Sequence, residues 1–442
     1  MKVTLEEMLY CREERVQVQQ SLIEKHNLPI VSFTMNIAGP VKTSLLIERG
    51  FNEGLRLLLN AVSEKNVKEK TVRFLKTGPE GYISVNLPPL EIKKICTRIE
   101  EQNALGRLFD MDVIGKGGEK LVRENERGCI VCGKAGRECA ASRAHSVKEI
   151  AEITNNILLE YFKEKDSERI SLLAKESLID EVETTPKAGL VDKNNCGSHA
   201  DMNLESFKKS AEAIEPYFKT CVLIGIESTE KSFDETFSLL RKAGLKAEEK
   251  MFIATGGVNT HKGAIYSLGI ILGALGRLYS AEKPIAETKD ILAVCAKLSE
   301  KSAMEDFEKA SGKTAGEKLY LESKIKGIRG EALLGFPSVK NIALPVFEKM
   351  LSDGYNRNDA ASVCLVHLIA SVEDTTLYKR GGKDGAYYAK SYAQSLISEG
   401  VTHEKLLKMD EEFIKRNLSA GGCADLLALT LFLHDIKQKG SF

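Results

Sequence analysis

The chain has 442 residues, 43% hydrophobic and 29% charged, a globular balance that supports two or three domains, each with its own core. Lysine plus arginine and aspartate plus glutamate both number 63, so the formal net charge is zero, and no global field draws the protein to a nucleic acid or a membrane. The opening MKVTLEEMLYCREER lacks an apolar signal core, the most apolar run (Ala264 to Gly276) is too short to span a bilayer, and the ten cysteines are scattered apart from one cluster; together these predict a cytoplasmic chain with free or metal-bound thiols.

In chain order, Leu28 to Ile37 reads as a strand with Val31, Phe33, Met35 and Ile37 on one face, ended by Gly39-Pro40. A helix follows from about Ser44 to Val62. Tyr82 to Asn86 is a short strand, the segment after Pro88-Pro89 is a helix, and Arg107 to Ile114 is a third strand. Residues 1–166 are thus predicted to form an α+β domain. The charged run from Phe162 to Arg169 reads as a solvated helix end or linker. Beyond it the periodic segments are helical. Phe207, Ala211, Ile214 and Phe218 keep helical spacing, as do the stretches around 265–278, 291–298, 360–372 and 424–436. Residues 167–442 are predicted to be all-α, with chemistry on loops and helix ends.

The N-terminal part carries two constellations. In Gly106-Arg-Leu-Phe-Asp-Met-Asp-Val-Ile114, strand periodicity puts Phe109, Met111 and Val113 on one face and Asp110 with Asp112 on the other. Paired carboxylates repel unless a cation lies between them, and an Asp-x-Asp strand suits Mg²⁺ against a pyrophosphate. Arg107 beside them is a candidate phosphate partner. The plainer alternative is an edge strand with a polar outer face. The second constellation is Cys129-Ile-Val-Cys132, then Cys139 and His145. All four types bind zinc, and C-x2-C is a common knuckle. The alternatives are reduced thiols in a tight loop, or an anion site using Arg127, Arg137 and Arg143.

These residues, with Asn36-Ile-Ala-Gly-Pro-Val-Lys42 upstream and Ser142-Arg-Ala-His145 downstream, resemble the citrate lyase holo-acyl-carrier-protein synthase family over about the first 160 residues. The resemblance implies a nucleotidyltransferase-like domain. It would move a phosphoribosyl-dephospho-CoA group from its triphosphate form to a serine of the citrate lyase acyl carrier protein (the gamma subunit), releasing pyrophosphate, with Asp110 and Asp112 on Mg²⁺. Ala141 departs from the arginine expected before Ser142.

Five polar islands interrupt the helices. Residues 185–202 bring Lys187, Asp192, His199 and Asp201 into one loop. Thr255-Gly-Gly-Val-Asn-Thr-His-Lys-Gly263 leads into the buried helix. Gly327-Ile-Arg-Gly-Glu-Ala332, Val372 to Gly382 and Ser419 to Ala428 are the others. Gly256 and Gly257 permit a tight turn, the helix N-terminus favours an anion, and Lys262 adds charge. Singly, each has a structural explanation: Asp201 and Asp425 as helix caps, His199 and His261 as loop donors, Lys262 in solvent. Convergence on one face would make a polyphosphate site.

GLVD, GxHxDM, GVNTHKGAIYSLG, GIRGEALLGFPSV, EDTTL with RGG, and GGCADLLA, in that order, resemble the triphosphoribosyl-dephospho-CoA synthase family from about residue 168 to the end. The resemblance implies ATP and 3′-dephospho-CoA as substrates. The ribose 2′-hydroxyl of dephospho-CoA would attack C1 of the ATP ribose, and adenine would leave. Asp192, Asp201, Glu331 and Asp374 are then the carboxylate candidates. Mg²⁺, Lys262 and Arg329 hold the phosphates, and Lys187, His199, Gly256, Gly257, Asn259, Thr260, His261 and Arg380 complete the nucleotide site. The sequence departs from the family at Ala188, Ser198 and Thr314-Ala-Gly-Glu317, where proline, alanine and a histidine are expected. Two rivals are a non-catalytic citrate lyase assembly factor with degenerate sites and a nucleotide N-glycosidase that uses water in place of the hydroxyl.

Overall fold

The computed structural model describes residues 2–123, 125–309, 311–312 and 315–439. The chain splits into two compact units, Met1–Lys165 and Asp166–Phe442.

The first unit holds a four-stranded antiparallel sheet of order β2-β3-β1-β4. Helix α1 (Leu5–His26) starts on a Thr4/Glu7 capping box. Then come β1 (Ile30–Met35), α2 (Leu45–Val62, capped by Ser44), β2 (Val67–Leu75), β3 (Gly78–Val85), α3 (Pro89–Glu101), a turn of 3-10 helix at Leu105–Leu108, and β4 (Phe109–Ile114). One sheet face presents Phe33 and Phe109 with Met111 and Val113. It is covered by α2 and α3, and Phe33 stacks on Phe51 at 4.7 Å. The other face carries Ile30, Tyr82 and Ile114 beneath Leu22 of α1.

The strands expected at 28–37, 82–86 and 107–114 and the helices at 44–62 and after Pro89 are all present. Two elements had no counterpart in the sequence reading. Helix α1 buries little beyond Cys11 and Leu22, so its apolar stripe is thin. Strand β2, VKEKTVRFL, is an edge strand with charged residues along it, a composition that hides a strand and also protects an edge.

Helix α4 (Gly136–Ala141) precedes α5 (Val147–Glu183), a 37-residue helix that contains the division between the units. The charged run 162–169 is therefore neither a linker nor a solvated helix end. It lies mid-helix with Phe162, Asp166 and Ser167 buried, and Asp166 accepts the Tyr279 hydroxyl at 2.9 Å.

The second unit is helical. It comprises α6 (Leu204–Glu227), α7 (Phe233–Ala254), α8 (Lys262–Arg277), α9 (Thr288–Glu308), α10 (Ala315–Ser323), α11 (Gly327–Leu333) and a π-helical turn at Val339–Ala343. After these come α12 (Leu344–Ser352), α13 (Arg357–Ser371), α14 (Thr375–Glu399), α15 (His403–Lys415) and α16 (Gly421–Lys439). Helix α8 is buried from Ala264 to Gly276 with the sole exception of Tyr266, and it packs on α6, α7, α9 and α16. Its glycines explain how. A Cβ on Gly276 would lie 2.2 Å from the Val222 carbonyl, and one on Gly225 of α6 would lie 2.3 Å from the Gly273 carbonyl. The two backbones touch. No single helix among the described residues is long and apolar enough to cross a membrane.

This contact reverses an ordinary expectation. Helix propensity alone makes Gly→Ala stabilising by about 1 kcal/mol. Gly225→Ala should instead destabilise by about 1–3 kcal/mol, because the methyl must displace the α8 backbone. Gly244→Ala in α7, whose added Cβ meets nothing nearer than 3.4 Å, should be neutral or stabilising. Urea unfolding followed by circular dichroism measures both, and equal midpoints for the two variants would refute the backbone contact.

Candidate functional site

Two separate clusters gather the chemistry, one in each unit. In the first, Asp110 and Asp112 stand on β4 opposite Thr34 and Ser32 of β1. Their shared face is as the alternation required. Asp112 pairs with Lys120 at 2.5 Å. Desolvation and then the neighbouring Asp112 push the Asp110 carboxyl above its usual range, with Lys120, Arg127 and Arg15 pulling the other way. Paired carboxylates whose repulsion is only partly offset are suited to a divalent cation.

The edge of β4 is held by a group the sequence did not single out. Glu100, buried at the end of α3, accepts the Met111 N–H at 2.8 Å and pairs with Arg123 and Arg127 at 2.9 and 3.1 Å. Arg127 also donates to the Phe109 carbonyl at 2.7 Å. The Asp-x-Asp strand is thereby fixed along an edge that has no neighbouring strand. Glu100 sits in a polar helix end, and nothing in its local sequence separates it from a solvated acid. Arg127, weighed as an anion-site residue, is a strand clamp. Arg107, weighed as a phosphate partner, donates to the Gly128 carbonyl. Beyond β4, the side chains of Cys129, Cys132, Cys139 and His145 bring one donor atom each within 4.8 Å of one another.

In the second unit the five polar islands meet. Ser198 donates to the Leu418 carbonyl at 2.6 Å, and His199 bonds the Ser419 hydroxyl at 2.9 Å, joining the first island to the fifth. Arg380 of the fourth reaches the Ser198 carbonyl, and it also bonds Asn417. Asp374 of the fourth accepts the Cys423 N–H of the fifth at 2.8 Å. Asp425 of the fifth lies against Gly263 at the end of the second island, where a Cβ would stand 1.9 Å from its carboxylate oxygen. Gly327 of the third packs on Thr375, where a Cβ would approach to 2.6 Å.

The carboxylates divide by what they hold. Asp192 accepts from the Lys187, Asn194 and Asn195 N–H groups and the Thr185 hydroxyl, so it shapes the loop. Asp374 accepts the Thr376 and Leu377 N–H groups on one oxygen and Cys423 on the other. It is an N-cap of α14 that also holds the start of α16. Both were candidates for the general base, and both have their oxygens on backbone donors. Among the described residues Glu331 accepts from Ser338, at 2.7 and 3.1 Å, and burial pushes it up. Asp201 is exposed, and its charge is felt by Arg380 and His199. Asp425 is pushed well above the usual carboxylate range by burial, then by Glu181 and Asp374. Lys187, 2% exposed, pairs with Glu181 at 2.5 Å. Glu181 was missed because it closes a charged helix end. Asp425, weighed as a helix cap, lies inside α16 and packs against Gly263.

On the second island Gly256 and Gly257 take φ of +66° and +92°, with open space where a Cβ would stand. The Asn259 side chain accepts the Lys262 N–H at 3.2 Å. Lys262 is 55% exposed and pairs with Glu248 at 2.7 Å. Arg329 pairs with Asp306 at 3.3 Å. Thr260 donates to Ser210, which bonds His261 Nδ1 at 2.7 Å. His261 is buried, its Nε2 has no hydrogen-bond partner among the described residues, and burial followed by the Lys187 charge brings its pKa down to about 3. Thr314, where the sequence departs from the resemblance, lies outside the described residues.

Comparison with known proteins finds two families on the chain. The family described as ATP:dephospho-CoA triphosphoribosyl transferase, CitG, matches residues 167–442. The family described as apo-citrate lyase phosphoribosyl-dephospho-CoA transferase, CitX, matches residues 3–161. Protein CitXG of Haemophilus influenzae is 34% identical, the alignment covering 98% of this chain and 96% of that one. Protein CitXG of Leuconostoc mesenteroides is 33% identical, covering 98% and 97%. A 2-(5''-triphosphoribosyl)-3'-dephosphocoenzyme-A synthase of Haemophilus ducreyi is 37% identical over 68% of this chain and 98% of its own.

His261 gives the helical unit a pH dependence. An unfolded histidine takes its proton near pH 6.5, and folded His261 takes it only near 3. Between these values the unfolded state binds more protons, so this contribution to stability falls as pH falls. Wild type should lose about 2 kcal/mol more than His261→Gln between pH 7 and pH 5, in urea unfolding at each pH. Parallel losses would mean that folded His261 titrates normally.

Proposed function

The chain belongs to the fused CitXG family, and from that footing we propose how its two units carry out one prosthetic-group synthesis. It is a bifunctional transferase, with a triphosphoribosyl-dephospho-CoA synthase domain and a phosphoribosyl-dephospho-CoA transferase domain. The proposal concerns which residues act, and that residues 1–166 and 167–442 act as separate modules.

In the helical module, the convergence of five polar islands on the starts of α8, α14 and α16 carries the reading. The 2′-hydroxyl oxygen of 3′-dephospho-CoA bonds to C1 of the ATP ribose as the bond from C1 to adenine breaks. The hydroxyl proton passes to a carboxylate, and adenine is protonated as it leaves. Asp192 and Asp374 shape the site, which leaves Glu331, Asp201 and Asp425 as the groups with acceptor capacity. Mg²⁺ would supply the positive charge that a triphosphate needs beside Glu181, Glu331 and Asp425. The open turn at Gly256 and Gly257, with Asn259, Thr260 and Lys262, cradles phosphate, and Arg329 lies at the rim. Lys187, His199 and Arg380 fasten the loops around it.

In the first module, a serine hydroxyl of the citrate lyase acyl carrier protein, its gamma subunit, attacks the phosphorus nearest the ribose, and pyrophosphate leaves. Asp110 and Asp112 are the residues for Mg²⁺. The Asp-x-Asp edge strand supports a nucleotidyltransferase-like arrangement. Substrates of this kind place the work in the cytoplasm.

Chromatography of a mixture with ATP and dephospho-CoA should show adenine and the triphosphoribosyl product. Apo carrier protein added next should gain the mass of the prosthetic group. Absence of adenine would favour an assembly factor, and free ribose triphosphate a hydrolase. Asp110→Asn and Asp112→Asn should each lower carrier modification by at least about a hundredfold and spare adenine release, the scale of a lost metal ligand. Near-normal transfer by both would return the pair to a polar strand face. Lys262→Ala should weaken ATP use by roughly 2–3 kcal/mol, as for a charge-assisted phosphate contact. Glu248→Ala should leave ATP use near normal. Unchanged kinetics in both variants would make Lys262 a solvated ion pair and move phosphate binding elsewhere.

A further inference from the structure

Loop 127–146 of the first unit is not used by either reaction, yet it is built with care. Cys129 and Cys132 flank a tight turn closed by Gly133 N–H to the Cys129 carbonyl at 2.9 Å, with Gly133 at φ +74°. The Val131 N–H, two residues past Cys129, donates to its Sγ at 3.4 Å. Backbone N–H groups directed at sulfur stabilise thiolates, not thiols. Cys139 comes from α4, with its Sγ 3.5 Å from that of Cys132, and His145 Nε2 lies 3.3 Å from Cys132 Sγ. Tetrahedral coordination with a metal–sulfur distance of about 2.3 Å sets donor atoms about 3.5–3.8 Å apart. The far nitrogen of His145, Nδ1, faces Glu149 of α5 at 3.6 Å. A carboxylate behind a ligating imidazole is a recurrent support in metal sites.

From this geometry we propose that Cys129, Cys132, Cys139 and His145 bind one Zn²⁺ in a closed structural site. Three soft thiolates and an imidazole suit that ion, and four protein donors leave no position for a reacting group. The site braces the neighbouring strand. Immediately before Cys129, Arg127 holds the Phe109 carbonyl and Gly128 accepts from Arg107. The loop returns through Gly136 N–H to the Arg127 carbonyl at 3.0 Å. Zinc therefore fixes the segment that clamps the Asp110/Asp112 strand.

The test is metal analysis of full-length protein purified without chelator. About one zinc per chain is expected on four-ligand logic. Cys132→Ser and Cys139→Ser should lose most of it, Cys196→Ser, altering an exposed thiol of the other unit, should keep it, and Glu149→Ala should weaken zinc retention against a competing chelator by about tenfold. Folding of the first unit is followed independently by limited proteolysis of each variant. In the unaltered protein, mercurial titration of the thiols should release the zinc to a colorimetric indicator. No zinc in the wild type, full zinc in a Cys132→Ser/Cys139→Ser double variant, or a Cys132–Cys139 disulfide found by mass spectrometry in place of the metal would overturn the proposal.

Discussion

The helical unit depends on satisfying the starts of buried helices. The first N–H groups of a helix have no partner within it, and burial removes water as a substitute. Here carboxylates take that part. Asp374 serves α14 and α16 together, and Asp425, on α16, packs against Gly263 in the first turn of α8. These contacts draw the polar islands together, because the second, fourth and fifth islands lead into or contain the starts of α8, α14 and α16. The backbone contact between α6 and α8 then fixes where α8 points. The proposed nucleotide site is drawn together by the same bonds that close the core.

The arrangement also explains the site's electrostatics. Glu181, Glu331, Asp374 and Asp425 are all pushed above their usual range by burial, while Lys187 is deeply buried beside Glu181. Helix starts favour anions, but these starts already face carboxylates. A polyphosphate cannot occupy the same place without a cation to balance it. The first unit solves a related problem differently. The outer edge of β4 is bonded at Met111 and Phe109 by Glu100 and Arg127 and at Val113 by the Leu121 N–H, while strand alternation keeps Asp110 and Asp112 on one face.

Much of this was legible in the sequence. Alternation placed Asp110 and Asp112 on one face, and the glycine-rich islands marked helix starts. Roles within the islands were not legible. Asp374 and Glu331 look alike as acids beside a glycine-rich segment, and only the approach of Cys423 makes one of them a double cap. Glu100 and Glu181 were invisible for the opposite reason, since each ends a charged helix and is buried by segments distant in sequence. The run 162–169 misled because charge was taken for exposure. In α5 the helical period turns Phe162, Asp166 and Ser167 inward and leaves Glu164, Glu168 and Arg169 outside. Helix α1 and strand β2 were lost because each buries too little to impose a period.

In the proposed site the raised carboxyl groups would couple ligand capture to proton exchange. Burial holds Glu331 and Asp425 above the usual carboxylate range, so each ionises at a higher pH than a solvated acid. A metal–nucleotide bound beside them would favour their ionised forms, and any protons they hold would leave on its arrival. Apparent affinity then strengthens with rising pH, and the heat of binding includes ionisation of whatever buffer receives the protons.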